Sequence, residues 1–128
     1  MNKARGVVVV LVVVSVLVVA CGGGGNAGGG SRTDVHMGQT DFTQASITIS
    51  KGSSLNLIND TAVTHIIANG TWENNTAKPG AEPGAPSVNN LQFTSAGQSQ
   101  TIGPFTMAGT FQLYCSVHPG MNLTVTVQ

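Results

Sequence analysis

Charge is what this chain has least of. Five Lys or Arg and five Asp or Glu make up 8% of its 128 residues and cancel to a formal net charge of zero. No basic run occurs anywhere, so the electrostatic footprint that nucleic acid demands is missing. With so few charges, the surface must be covered largely by Ser, Thr, Asn, Gln and Gly. Cysteine is scarce as well. The two thiols allow one internal disulfide, Cys21 to Cys115, and each has a better local explanation. A domain of about a hundred residues can build one core without such a bridge. Beyond the N-terminal segment helical periodicity is almost absent, which argues against a helical bundle. There is no internal repeat, and no nucleophile–base pair of the kind an enzyme of covalent catalysis needs.

The one long apolar run, Val7 to Ala20, is broken only by Ser15 and follows Lys3 and Arg5. It is shorter than the roughly 20 residues a membrane-spanning helix requires. A basic start and an apolar stretch of this length read as a secretory signal over residues 1–20. Val18-Val19-Ala20-Cys21 resembles a bacterial lipobox, which implies Cys21 as the lipidated first residue of the mature chain. The competing reading, an ordinary signal cut near Ala20, leaves Cys21 an exposed thiol without a role. Gly22 to Gly30 is nearly all glycine, with Asn26 and Ala27 between. Such a stretch buries no apolar surface and behaves as a flexible tether. Residues 21–33 are therefore read as lipidated Cys plus tether, and residues 34–128 as the folded domain. The protein is expected outside the cytoplasm, in the periplasm or at the cell surface, held to a membrane by its lipid. Past the signal, Arg32, Lys51 and Lys78 stand against Asp34, Asp41, Asp60, Glu73 and Glu82, a net charge of −2 that is too small for strong steering.

The remainder alternates in short runs separated by Gly, Ser, Asn and Pro, the pattern of an all-β sandwich or barrel. Strands are expected at Val35–Gln39, Ile47–Ile49, Leu55–Asn59, around Val63–Ile67, Leu91–Thr94, Ser99–Ile102, near Phe111–Cys115 and at Leu123–Val127. Lys51-Gly52-Ser53 and Asn59-Asp60-Thr61 supply turns. Val63, His65 and Ile67 share one face, as do Phe111, Leu113 and Cys115, and Leu123, Val125 and Val127. From Glu73 to Asn90 the composition shifts to Asn, Pro, Gly and Ala, which reads as one long loop with room for a helical turn. Seven to eight strands in this length fit a Greek-key β-sandwich. Asn-x-Thr sequons begin at Asn69, Asn74 and Asn122; they are taken as chance, since a bacterial lipobox leaves no place for N-glycosylation.

The chemistry concentrates in Tyr114-Cys115-Ser116-Val117-His118-Pro119-Gly120-Met121. Cys-x2-His-x2-Met sets a thiol, an imidazole and a thioether on one short loop after a strand. With His65 upstream they make a His2Cys set and an axial Met, the donor set of a blue-copper centre. Each residue alone has a plainer reading: Cys115 as a buried structural thiol, His118-Pro119-Gly120 as a turn, Met121 as core filling. Their joint spacing, between Phe111-Gln112-Leu113-Tyr114-Cys115 and an alternating last strand, favours the metal. Zinc is disfavoured, because its structural sites use Cys and His and not thioether. His36, beside Met37, is read as an ordinary polar residue on an edge strand, and Trp72 as core or loop packing.

The pattern resembles the cupredoxins, the superfamily of plastocyanin, amicyanin and pseudoazurin. The carrying residues are Val63-Thr64-His65 and the run from Gly109 to Met121, and the two-residue gap between His118 and Met121 is most similar to the short amicyanin-type loop. The resemblance implies a single type 1 copper held by His65, Cys115, His118 and Met121. His65 would be the buried ligand and His118 the one whose edge reaches the surface, with Pro119 and Met37 on a docking face. It implies a monomeric one-electron carrier for redox protein partners, not an enzyme. The alternative is an extracytoplasmic copper chaperone or scavenger that delivers copper to an oxidase. A copperless sandwich used for binding is disfavoured by the presence of all four donors. Two positions depart from the family pattern. Ile66 stands where many members have an Asn whose amide ties the ligand segments together, so Thr64 or Ser116 is expected to replace that bond. Asn122-Leu123 follows Met121 where many have Gly.

Overall fold

The computed structural model describes residues 30–128. The signal segment, Cys21 and nearly all of the glycine tether lie outside the described residues. Among the described residues nine strands form: β1 (Arg32–Met37), β2 (Ser46–Ile49), β3 (Ser54–Asn59), β4 (His65–Glu73), β5 (Thr76–Pro79), β6 (Leu91–Phe93), β7 (Ser99–Ile102), β8 (Gly109–Cys115) and β9 (Asn122–Val127). Among the described residues there is no helix. The expected all-β sandwich is therefore present, with one strand more than the seven or eight expected. β1 takes in Arg32 and Thr33, which composition alone had assigned to the tether.

One sheet has the order β1-β3-β7, and the other β2-β9-β8-β4-β5 with β6 also on β4. β1 runs parallel to β3 and β2 parallel to β9, while the remaining pairs are antiparallel. The period-two pattern decides which face each strand buries. Leu55 and Leu57 of β3, Phe111 and Leu113 of β8, and Leu123, Val125 and Val127 of β9 all point inward. They meet Val35, Met37, Ile67 and Phe93 in one cluster between the sheets. Burying a side chain of this size contributes about 1.5–3 kcal/mol each, and the cluster is mostly aliphatic.

Two turns show local chemistry at work. Asn59 is buried, donates from Nδ2 to the Val63 carbonyl at 2.9 Å and accepts at Oδ1 from the Thr61 N–H at 3.3 Å. That Asx-type bond makes the turn expected at Asn59-Asp60-Thr61. Asn74 and Asn75 have φ of 48° and 60°, the two positive values a tight two-residue hairpin requires. They fold β5 back on β4, from Glu73 opposite Thr76 to Gly70 opposite Pro79. The segment from Glu73 to Asn90 is therefore not all loop. Its Asn and Pro content hid a short strand, and it carries no helical turn. The rest of it is pinned by Asn69, whose buried side chain donates to Pro86 O at 3.1 Å and accepts from the Val88 N–H at 2.6 Å.

β4 changes direction at Gly70, whose φ is +136°. A Cβ there would collide with the Lys78 carbonyl and stand 2.8 Å from the Tyr114 ring. Glycine thus lets the hairpin cross the outer side of β8, over Tyr114, which is 5% exposed. The first half of β4 stays in the sandwich, paired with β6 and β8.

Candidate metal centre

β4 and β8 set Ile67 opposite Cys115, which places His65 and Cys115 inward at the same end of the sandwich. Both are fully buried. The backbone ties the two strands there: the Ile66 N–H points at the Cys115 Sγ at 3.4 Å, and the Ser116 N–H donates to the Ile66 carbonyl at 2.8 Å. Of the two residues expected to replace the family's Asn, Ser116 reaches β4 through its main-chain N–H alone. Thr64 is exposed. Beyond Cys115 the chain leaves β8 and returns into β9. The Cys115 N–H bonds to Met121 O at 3.0 Å and the Met121 N–H to His118 O at 3.1 Å. Gly120, at φ +81°, takes the left-handed turn between them. These bonds fold His118 back over Cys115.

The result is a compact set of donors. Cys115 Sγ lies 3.8 Å from His65 Nδ1 and 3.3 Å from His118 Nδ1. The three donor atoms all lie within 4.8 Å of one another, and among the described residues no other such group of three occurs. Met121 closes the loop with 2% exposure. Metal–nitrogen and metal–sulfur bonds of about 2.1 and 2.3 Å, spread evenly in a plane, separate the donors by about 3.8 Å. The spacing fits a first-row metal ion, which His65, Cys115 and His118 would hold, and the soft thiolate and thioether suit copper.

His65 is oriented from behind. Its Nε2–H donates to the Gly38 carbonyl at 2.9 Å, which leaves the Nδ1 lone pair facing Cys115. Burial lowers the His65 pKa below its ordinary 6.5, and the nearby His118 pushes the same way, against the Gly38 bond and Asp41. Burial thus favours the neutral ring, the form that ligation requires. Gly38 was not foreseen: a backbone oxygen 27 residues away leaves no mark in the sequence.

Other expectations fare differently. His36 does sit exposed on the edge strand β1, where Nδ1 bonds Asp60 at 2.8 Å, away from the metal donors. Met37 does not belong to any docking face: it is 0% exposed, because β1 turns it into the core. The exposed apolar residue on one side of His118 is Val117, 46% accessible, and exposed Pro119 follows on the other. Trp72 does more than pack. Its Nε1–H donates to the Cys115 carbonyl at 2.8 Å. The available signal was general, since a partly buried indole N–H needs an acceptor.

These features meet in one class of protein. The chain belongs to the copper-binding plastocyanin/azurin family, whose model matches residues 30–128, so it is a cupredoxin and its cofactor is one type 1 copper. Among solved structures it is similar to amicyanin from Paracoccus versutus (Thiobacillus versutus), at 19% identity and TM-score 0.56, over 76% of this chain and 81% of that one. A reduced Cu(I) form of an amicyanin variant at pH 4 gives 18% identity and TM-score 0.57, over 76% and 82%. A reduced form of another amicyanin variant gives 20% and 0.57, over 80% and 85%. At such identities the likeness speaks for the fold. No curated protein sequence matches the chain.

Proposed function

We propose that His65, Cys115, His118 and Met121 hold the copper, and that the protein shuttles single electrons between redox proteins while tethered to a membrane through a lipid on Cys21. The observation that carries this reading is the preformed donor set, with Cys115 Sγ 3.8 and 3.3 Å from two imidazole nitrogens. Copper, when bound, supplies one-electron chemistry between its cuprous and cupric states. The chain's part is to keep the donors from moving as the electron does. The Gly38 carbonyl fixes the His65 ring, the Ile66 N–H supports the sulfur, and the loop bonds at Cys115 and Met121 set His118. His118 is half-buried beside exposed Val117 and Pro119, and this edge is the face where a redox partner approaches. Four donors leave no open position for a substrate, which favours a carrier over an enzyme. Copper delivery lacks support, since the His36-Met37 pair that could have served a hand-off has one member bonded to Asp60 and the other in the core.

The decisive experiment adds Cu(II) to the purified protein and records its visible and EPR spectra. An intense thiolate-to-copper band with narrow hyperfine splitting is expected, and Cys115→Ser should abolish it. A weak spectrum that the substitution leaves unchanged would sink the electron-carrier reading. The tether is tested separately: Cys21→Ala should move the protein from the membrane fraction to the soluble one, and an unchanged distribution would refute lipid anchoring.

A further inference from the structure

The loop that carries three of the four proposed ligands begins at Cys115 and ends at Met121, and its two ends are gripped from outside the sandwich. In an antiparallel ladder, a residue that gives its N–H to the residue opposite usually receives one back. Cys115 gives its N–H to Met121 O, but the Met121 N–H turns into the loop and bonds His118 O. The Cys115 carbonyl is taken instead by the Trp72 indole, at 2.8 Å. The hairpin that delivers this indole is itself fastened to the other end of the loop. The Trp72 N–H donates to Asn122 Oδ1 at 2.7 Å, and Asn122 Nδ2 donates to Trp72 O at 3.0 Å. Asn122 immediately follows Met121. The Trp72 ring also packs edge-on against Tyr114, with centroids 6.1 Å apart. Cys115 and Asn122 are thus linked through one residue of a third strand.

From this geometry we infer that the β4–β5 hairpin is an external clamp on the copper loop, in which Trp72 and Asn122 are positioning residues that hold Cys115 and Met121 in register. The inference rests on the proposed ligand set. It accounts for the two departures noted in the sequence. Ile66 has no side-chain amide with which to tie the ligand segments, and Asn122 stands where a glycine could form no side-chain bond. The side-chain tie on this loop lies on the outer face of the sheet, beside the main-chain bonds that Ile66 makes within the site. A buried carbonyl needs a partner, and the indole supplies it without touching the donors themselves.

Trp72→Phe keeps an aromatic ring against Tyr114 and removes the N–H donor together with part of the indole's bulk. In the metal-free protein, this variant should exchange the Cys115 and Met121 amide protons faster, because the loop opens locally. In the loaded protein, Cu(II) affinity should fall by about 10-fold, the usual effect of losing a partner that orients a ligand, and the thiolate-to-copper band should shift. Asn122→Ala should give the same signature with the indole in place, and serves if Trp72→Phe does not fold. Lys78→Ala, which removes the hairpin's exposed ion pair with Glu73, is the control: it should leave exchange, affinity and band as in the parent. Unchanged exchange and affinity in both test variants would overturn the clamp. So would equal changes in the Lys78 control, which would mark general loosening of the hairpin. If the parent itself lacks the thiolate band, the ligand assignment fails, while amide exchange in the metal-free protein still decides whether the loop is clamped.

Discussion

The two halves of β4 do opposite work with the same backbone. From His65 to Asn69 the strand lies in the sheet between β6 and β8, and alternate side chains enter the core. From Gly70 to Glu73 it leaves, pairs with β5, and spans the outer side of β8. The inner half holds the proposed ligand His65 by burial and ladder bonds. The outer half holds the ligand loop by side-chain bonds to main-chain groups. A metal site can therefore be stiffened from two sides by one strand, provided a residue between the halves can turn.

The contrast can be broken most forcefully from inside. Ile67→Ala removes a fully buried side chain from the face shared with His65, and should cost about 2–5 kcal/mol in urea unfolding. A loss well below that range would mean that the inner half is not part of the cooperative core. Gly70→Ala attacks the joint, through a backbone at φ +136° and a collision with the Lys78 carbonyl. It should cost about 1–3 kcal/mol, and the near-UV signal of Trp72 and Tyr114 should be lost while the far-UV strand signal stays. Retention of the near-UV signal would show that the hairpin does not need glycine at its base.

The smallest effect is one of pH on the metal-free protein. Burial sets the folded His65 pKa below 6.5, so as pH falls through 6.5 the unfolded chain gains a proton that the folded chain still refuses. Stability should decline across that window, until the pH passes the lowered folded value. Urea midpoints at pH 7.5 and 5.5, in the parent and in His65→Asn, should differ less in the variant. An equal drop in both would assign the effect to another group.

Most of the sheet was readable because alternation is a local signal: Ser99–Ile102 and the inward sets on β8 and β9 follow directly from period two. The hairpin was not, because Asn74-Asn75 was submerged in a Pro- and Gly-rich composition although each Asn tolerates positive φ. Met37 was misread for a related reason. A position beside a polar His looks like surface until the partner strand decides which face is covered. The proposed donors His65, Cys115, His118 and Met121 were visible as residue types at a spacing, but the parts of Gly38 and Trp72 were not, since their hydrogen bonds to the site span 27 and 43 residues.

The sequence by itself determined the all-β class, the donor chemistry and the short loop that carries three donors, because strand alternation and ligand spacing are properties of neighbouring residues. Only the tertiary structure decided which imidazole nitrogen faces the sulfur, where the exposed edge lies, and what grips the loop from behind. Those outcomes depend on main-chain groups that every residue carries alike, and they become specific only when strands far apart in sequence are brought together.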